Sequence, residues 1–172
     1  SKFDTSNVTS MMLMFNKCKS LKTLDLSNFN TSNVTNMNNM FSYCSSLEKL
    51  DLSSFDTSNV KAMGAMFLNS SKLSELNLIS FDTTNVTNMY GMFMKCENIT
   101  SFDLSSFDTG NVTDMAGMFG SCDNLTTLTL GPDFSFVGTY HDLPTTWYLE
   151  DGTQVDITTH TRTTSTTYYA EN

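Results

Sequence analysis

Leucines recur along this chain in the spacing LxxLxL: Leu21, Leu24 and Leu26, then Leu47, Leu50 and Leu52, then Leu73, Leu76 and Leu78. Ile99, Phe102 and Leu104, followed by Leu125, Leu128 and Leu130, fill the same columns. In LxL the two apolar side chains point one way and the residue between them points the other, which is the period of a strand. The second half of each unit changes period. Val34, Met37, Met40, Phe41 and Cys44 sit at i, i+3, i+6, i+7 and i+10, a spacing that predicts a short helix with one buried face. Asn33, in the column Asn7, Asn33, Asn59, Asn85 and Asn111, is placed to cap its N-terminus. A turn segment such as Asp56-Thr57-Ser58 joins the two halves.

Phe3, Phe29, Phe55, Phe81 and Phe107 return every 26 residues, and so do Phe15, Phe41, Phe67, Phe93 and Phe119. A fixed period in this range predicts a stacked solenoid that presents an extended surface. The unit reads LxxLDLSxFDTSNVTxMxxMFxxCxS, nearly intact from Leu47 to Ser71 and from Ile99 to Asp123. In this it resembles the BspA-like leucine-rich-repeat surface proteins of bacteria, in their variant with a 26-residue repeat. Ser70 stands in place of Cys in the third copy and Lys61 in place of Thr, and neither touches a leucine column. The expected fold is therefore α/β: a leucine-rich-repeat solenoid of about five repeats, each one short parallel strand plus one short helix, closed by a C-terminal β-hairpin.

Three segments follow from where the period holds. Residues 1–130 are the array, with its first repeat truncated because Ser1 enters after the strand position. Residues 131–157 form a capping segment, in which Trp147 to Glu150 and Thr153 to Ile157 flank an Asp151-Gly152 turn as a hairpin. Residues 158–172 read as a Thr-rich tail or a linker to a further domain. Trp147 is expected to pack on the last repeat; a ligand role for Trp147, Tyr140 and Tyr148 is the alternative.

Repetition reassigns most chemically suggestive residues to structure. Ten of the twelve methionines fall in two columns beside the Phe ladder, and they read as core rather than as a soft-metal site or a peptide groove. Cys18, Cys44, Cys96 and Cys122 share a column that cannot converge on one zinc ion. They are read as buried free thiols, with the bridges Cys18–Cys44 and Cys96–Cys122 left open. Asp4, Asn30, Asp56, Asp82 and Asp108 read as turn caps, with calcium between copies the alternative. Asn-x-Thr sequons at Asn7, Asn33, Asn85, Asn98, Asn111 and Asn124 would be glycan acceptors in a eukaryotic secretory protein.

The residues between the leucines form the exposed face. Its columns are Thr23, Lys49, Glu75, Ser101 and Thr127; Asp25, Asp51, Asn77, Asp103 and Thr129; and Ser27, Ser53, Ile79, Ser105 and Gly131. All but Gly131 are candidate ligand contacts, on a polar, mildly acidic face without aromatic anchors. A net charge of −9 with only 9 Lys and Arg argues against nucleic acid and against an anionic membrane surface. No apolar run is long enough to span a membrane. His141 and His160, the only histidines, belong to no catalytic motif, and no phosphate-binding loop or differently tuned carboxylate pair is present.

The expectation is a non-enzymatic surface module that needs no cofactor and no metal. The resemblance implies an adhesin-type role, binding a host or neighbouring-cell protein or glycan through the sheet face and loops. It also implies a secreted or cell-surface location, with cell-wall attachment in the full-length protein. The alternative is a structural stalk that displays a distal domain and binds nothing.

Overall fold

A computed structural model describes residues 3–143 and 146–171; Ser1 and Lys2, at the front of the expected array, lie outside the described residues. The fold is all-β. Strands β1 (Lys49–Asp51) and β2 (Glu75–Asn77) pair in parallel as one small sheet. A second, five-stranded sheet has the order β3 (Ser101–Leu104), β4 (Thr127–Leu130), β7 (Thr166–Ala170), β5 (Trp147–Tyr148) and β6 (Gln154–Val155). β3 and β4 are parallel and keep the repeat register, with Phe102 opposite Leu128. β7 runs antiparallel to both β4 and β5.

The expected α/β leucine-rich-repeat solenoid with a helix in every repeat is overturned, because no helix exists among the described residues. Nor does every repeat hold a strand: the copy containing Thr23 and Asp25 has none, and β2 and β3 lie in different sheets. The backbone shows why. In each copy two residues four apart adopt positive φ, as at Asn39 (57°) and Tyr43 (60°), Ala65 (53°) and Asn69 (57°), and Gly91 (55°) and Lys95 (61°). A right-handed helix cannot contain such residues.

Each instead sits third in a four-residue turn. Met40 N–H donates to Met37 O and Cys44 N–H to Phe41 O, so apolar positions recur three apart. The alternate amides leave the copy altogether. Met37, Asn39, Phe41 and Tyr43 donate to Ala62, Gly64, Met66 and Leu68 of the next copy, at 2.7–2.9 Å. Amides that a helix would satisfy internally are thus satisfied between copies. Isolated parallel bridges Ser10–Asn36, Asn36–Ala62, Ala62–Asn88 and Asn88–Asp114 continue the same register. Asn33 accordingly caps no helix; its Nδ2 donates to Ser6 O of the preceding copy, as Asn59, Asn85 and Asn111 do to theirs.

The core lies between these bonded edges. Phe15, Phe41, Phe67, Phe93 and Phe119 stack with ring centroids 5.5–5.9 Å apart. Nine of the ten column methionines are buried, Met14 being the exposed one. Asp4, Asn30, Asp56, Asp82 and Asp108 each accept the amide two residues on, which is the turn-capping geometry.

The four thiols are free. Cys44, Cys96 and Cys122 donate from Sγ to Phe15 O, Phe67 O and Phe93 O at 3.1–3.3 Å, and Ser70 fills the gap in the column by donating to Phe41 O at 2.8 Å. Burial pushes the Cys44 thiol up to about 11 and that of Cys122 up to about 12, and raises Cys96 well above its ordinary value. The thiolate is the reactive form. Iodoacetamide at pH 8 should therefore label half-buried Cys18 first, and the other three only after unfolding. The fold holds these thiols neutral, so their contribution is complete below the ordinary thiol value near 9 and is lost as pH rises through 11. A urea midpoint that falls between about pH 9 and 11 checks the sign.

Residues 158–171, within the segment that the sequence suggests as a tail or linker, take part in the fold. Within the sheet, β7 inserts between β4 and the hairpin strand β5 and so links the β5–β6 hairpin to the array strands. Trp147 and Tyr168 are fully within the core. Gly131 marks the handover from β4 to this cap, where a Cβ would lie 2.2 Å from Ser105 O. No helix among the described residues is long and apolar enough to cross a membrane.

Candidate binding face

Strand alternation places Lys49, Asp51, Glu75, Asn77, Ser101 and Asp103 outward, with Leu50 and Phe102 buried behind them. A shallow groove where β2 and β3 fail to pair brings together Lys49, Asp51, Ser53, Glu75, Asn77, Ser101 and Asp103. Asp25 and Ser27 meet Asp51 and Ser53 in a smaller hollow. Thr23 is exposed on the same side, outside any strand, and Ile79 is an exposed apolar side chain (53%). Half-buried Ser105 follows β3 directly.

Much of this face is engaged with itself. Lys49 Nζ lies 2.5 Å from Glu75 Oε1, both side chains well exposed, so the two charges that break the repeat satisfy each other. Such an exposed pair stabilises the fold little. Asp25, Asp51, Asn77 and Asp103 each accept the amide two residues on, from Ser27, Ser53, Ile79 and Ser105, at 2.9–3.1 Å. The Ser53 amide and hydroxyl hold the Asp51 carboxyl below its usual range, so it stays ionised. These side chains shape the strand exits, and Asp51 keeps its negative charge facing solvent.

Thr127 and Thr129 sit differently. β7 pairs beside them, setting Tyr169 opposite Thr127 and Thr167 opposite Thr129, whose hydroxyls are 2.9 Å apart. Tyr148 of β5 is opposite Tyr169 on its other side, and Gln154 of β6 is opposite Tyr148. Directly opposed residues share a face. The candidate face therefore continues across the cap as Ser101 and Asp103, Thr127 and Thr129, Tyr169 and Thr167, Tyr148, and Gln154. Tyr148 donates from its hydroxyl to Glu171 Oε2 at 3.2 Å, and Tyr169 is 40% exposed.

Outward aromatic residues are absent from the array strands and enter at the cap, with Tyr148 and Tyr169. The sequence does not single out Tyr169 and Thr167, because the run Thr163–Ala170 reads as low-complexity, nor Gln154, whose hairpin strand joins the face only through β7. The β-branched and aromatic content of that run was the available strand signal. No group of His, Cys, Asp and Glu among the described residues is arranged to hold a metal ion.

The chain matches, over residues 1–77 and 49–137, a family described as "Mycoplasma protein of unknown function, DUF285". No curated protein and no solved structure matches it. With both copies of that match lying on the repeats and spanning well over half of its length, the chain belongs to the DUF285 family.

Proposed function

We propose that this chain is a BspA-like surface interaction module, displayed at or secreted from the cell. It binds a protein or glycan of a host or neighbouring cell through the outward face of its two sheets. It works by presentation rather than catalysis. The observation behind this reading is the continuation of the polar array face across β4, β7 and β5, which sets two tyrosines beside a field of Thr, Ser and Asp side chains. Aromatic side chains concentrate contact area and binding energy, whereas the array strands alone offer only small polar groups. Repeated columns add weak contacts that gain from many copies on a surface.

The 172-residue chain, immobilised and probed with a matrix-protein and glycan panel, tests this. The expected result is binding to at least one member, reduced at least tenfold by Tyr169→Ser combined with Thr129→Ala, with the thermal melt retained. Aspartates of the face are best changed to Asn, since Asn77 already makes the same bond to the amide two residues on. Absence of binding to every member, or binding indifferent to these changes, returns the chain to the role of a stalk.

A further inference from the structure

Charge is distributed unevenly between the two ends of the chain. Through Lys95 there are eight lysines against seven acidic residues; from Glu97 onward eleven acidic residues stand against one cation, Arg162. That cation is directed inward, its guanidinium donating to Gly131 O, Ile157 O, His160 O, Phe134 O and Tyr168 Oη. The capped end thus carries an uncompensated negative field, while the array end is close to neutral.

The fold gathers part of that charge around the exposed tyrosines. The β5–β6 turn brings Glu150 and Asp151 into one groove with Thr167 and Tyr169. Glu171 reaches Tyr148, and Tyr148 is the direct neighbour of Tyr169. Asp151 accepts the Thr153 amide at 2.9 Å, which fixes the turn that carries it. An electron-rich ring rimmed by carboxylates attracts an ammonium or guanidinium from two directions, by the ring face and by charge. Neutral sugars gain nothing from the second of these.

Resting on the surface reading above, we propose that the partner is a cationic polypeptide segment, whose arginine or lysine side chains lie over Tyr169 against Glu150, Asp151 and Glu171. The sheet face is the platform, and charge complementarity selects the occupant.

The test is fluorescence anisotropy with a labelled six-arginine peptide, a neutral Gly-Ser peptide of equal length and a neutral oligosaccharide. Each is titrated with the whole chain, with the charge-removing variant Glu150→Gln/Asp151→Asn/Glu171→Gln, with Tyr169→Ser, and with an array control off the face, Asp56→Asn/Asp82→Asn/Asp108→Asn, in which Asn keeps the turn bond that Asn30 already makes. Asn at 151 keeps the turn acceptor, so the melt reports that the fold is intact. The expected result is arginine-peptide binding that weakens at least tenfold in the charge-removing variant and several-fold in Tyr169→Ser, weakens with added salt, and is unaffected by the array control. The proposal is overturned if the arginine peptide binds no better than the neutral one, if the array control loses as much as the cap variant, or if Tyr169→Ser changes nothing. Oligosaccharide binding without peptide binding overturns it too, while leaving the surface reading in place; loss of all binding removes both.

Discussion

Replacing Arg162 with Met is expected to lower the unfolding free energy by about 4 kcal/mol, with the cap strands losing protection before the array does. Arg162 lies in the Thr-rich segment, where sequence gives no reason to single it out. Its guanidinium joins three places that the chain order keeps apart: Gly131 and Phe134 just after β4, Ile157 and His160 after β6, and Tyr168 within β7. The contacts to His160 O and Tyr168 Oη are 3.0 and 3.1 Å, and the one to Phe134 O is at least as close.

A hydrogen bond to a charged group contributes ~1.5–3 kcal/mol, and these three shared contacts, which are not independent, set the estimate near the low end of their sum. Met matches the stem and keeps its packing, so the loss reports the donors. Lys should recover little, because one ammonium cannot fork to carbonyls on several segments. Chemical denaturation gives the magnitude, and amide exchange across Thr166–Ala170 gives the location. A Lys variant as stable as the parent would refute the forked-donor account.

The repeat register and the core were legible from the sequence because they depend only on which side chains are apolar and how often they return. Phe41, Met40 and Leu47 are buried as their columns require. The second half of the repeat was misread for a reason built into its spacing. A helix and a chain of turns closed by i to i+3 hydrogen bonds both bring Met37, Met40 and Phe41 to one side. What separates them is the sign of φ at two positions per copy. Gly91 and Gly117 hint at it, but the equivalent places elsewhere hold Leu13, Asn39 and Ala65, and the second column holds Lys17, Tyr43, Asn69, Lys95 and Ser121. Non-glycine residues tolerate this backbone at a cost of about 1–2 kcal/mol each, which the bonds between copies offset. No residue type announces it.

The candidate face divides in the same way. Alternation within LxL identified Asp51, Asn77 and Asp103, whereas Tyr169 joined the face through pairing with Thr127, a contact between distant parts of the chain that no local pattern encodes.

Thr57→Val is the second large effect expected, about 2–6 kcal/mol, and it tests how the copies are joined. Thr5, Thr31, Thr57, Thr83 and Thr109 form a buried polar column inside a largely apolar array. The Thr57 hydroxyl donates to Asp82 O at 2.9 Å and accepts from Asp82 N at 2.8 Å, so one side-chain oxygen satisfies both backbone groups of a single residue in the next copy. Thr31 does the same for Asp56, and Thr83 for Asp108.

Valine has nearly the same shape, so packing is preserved while two backbone groups lose their partner at ~1–3 kcal/mol each. Serine keeps the hydroxyl and sheds one methyl, about 1 kcal/mol at most. The order of stability in urea should therefore be Thr, then Ser, then Val, with the most hydrophobic side chain last. A valine variant at least as stable as serine would mean that solvent reaches Asp82 and that the column is packing alone. If the order holds, the copies are joined by hydroxyls as well as by stacked phenylalanines, and the FDT of the repeat owes its Thr to the copy that follows it.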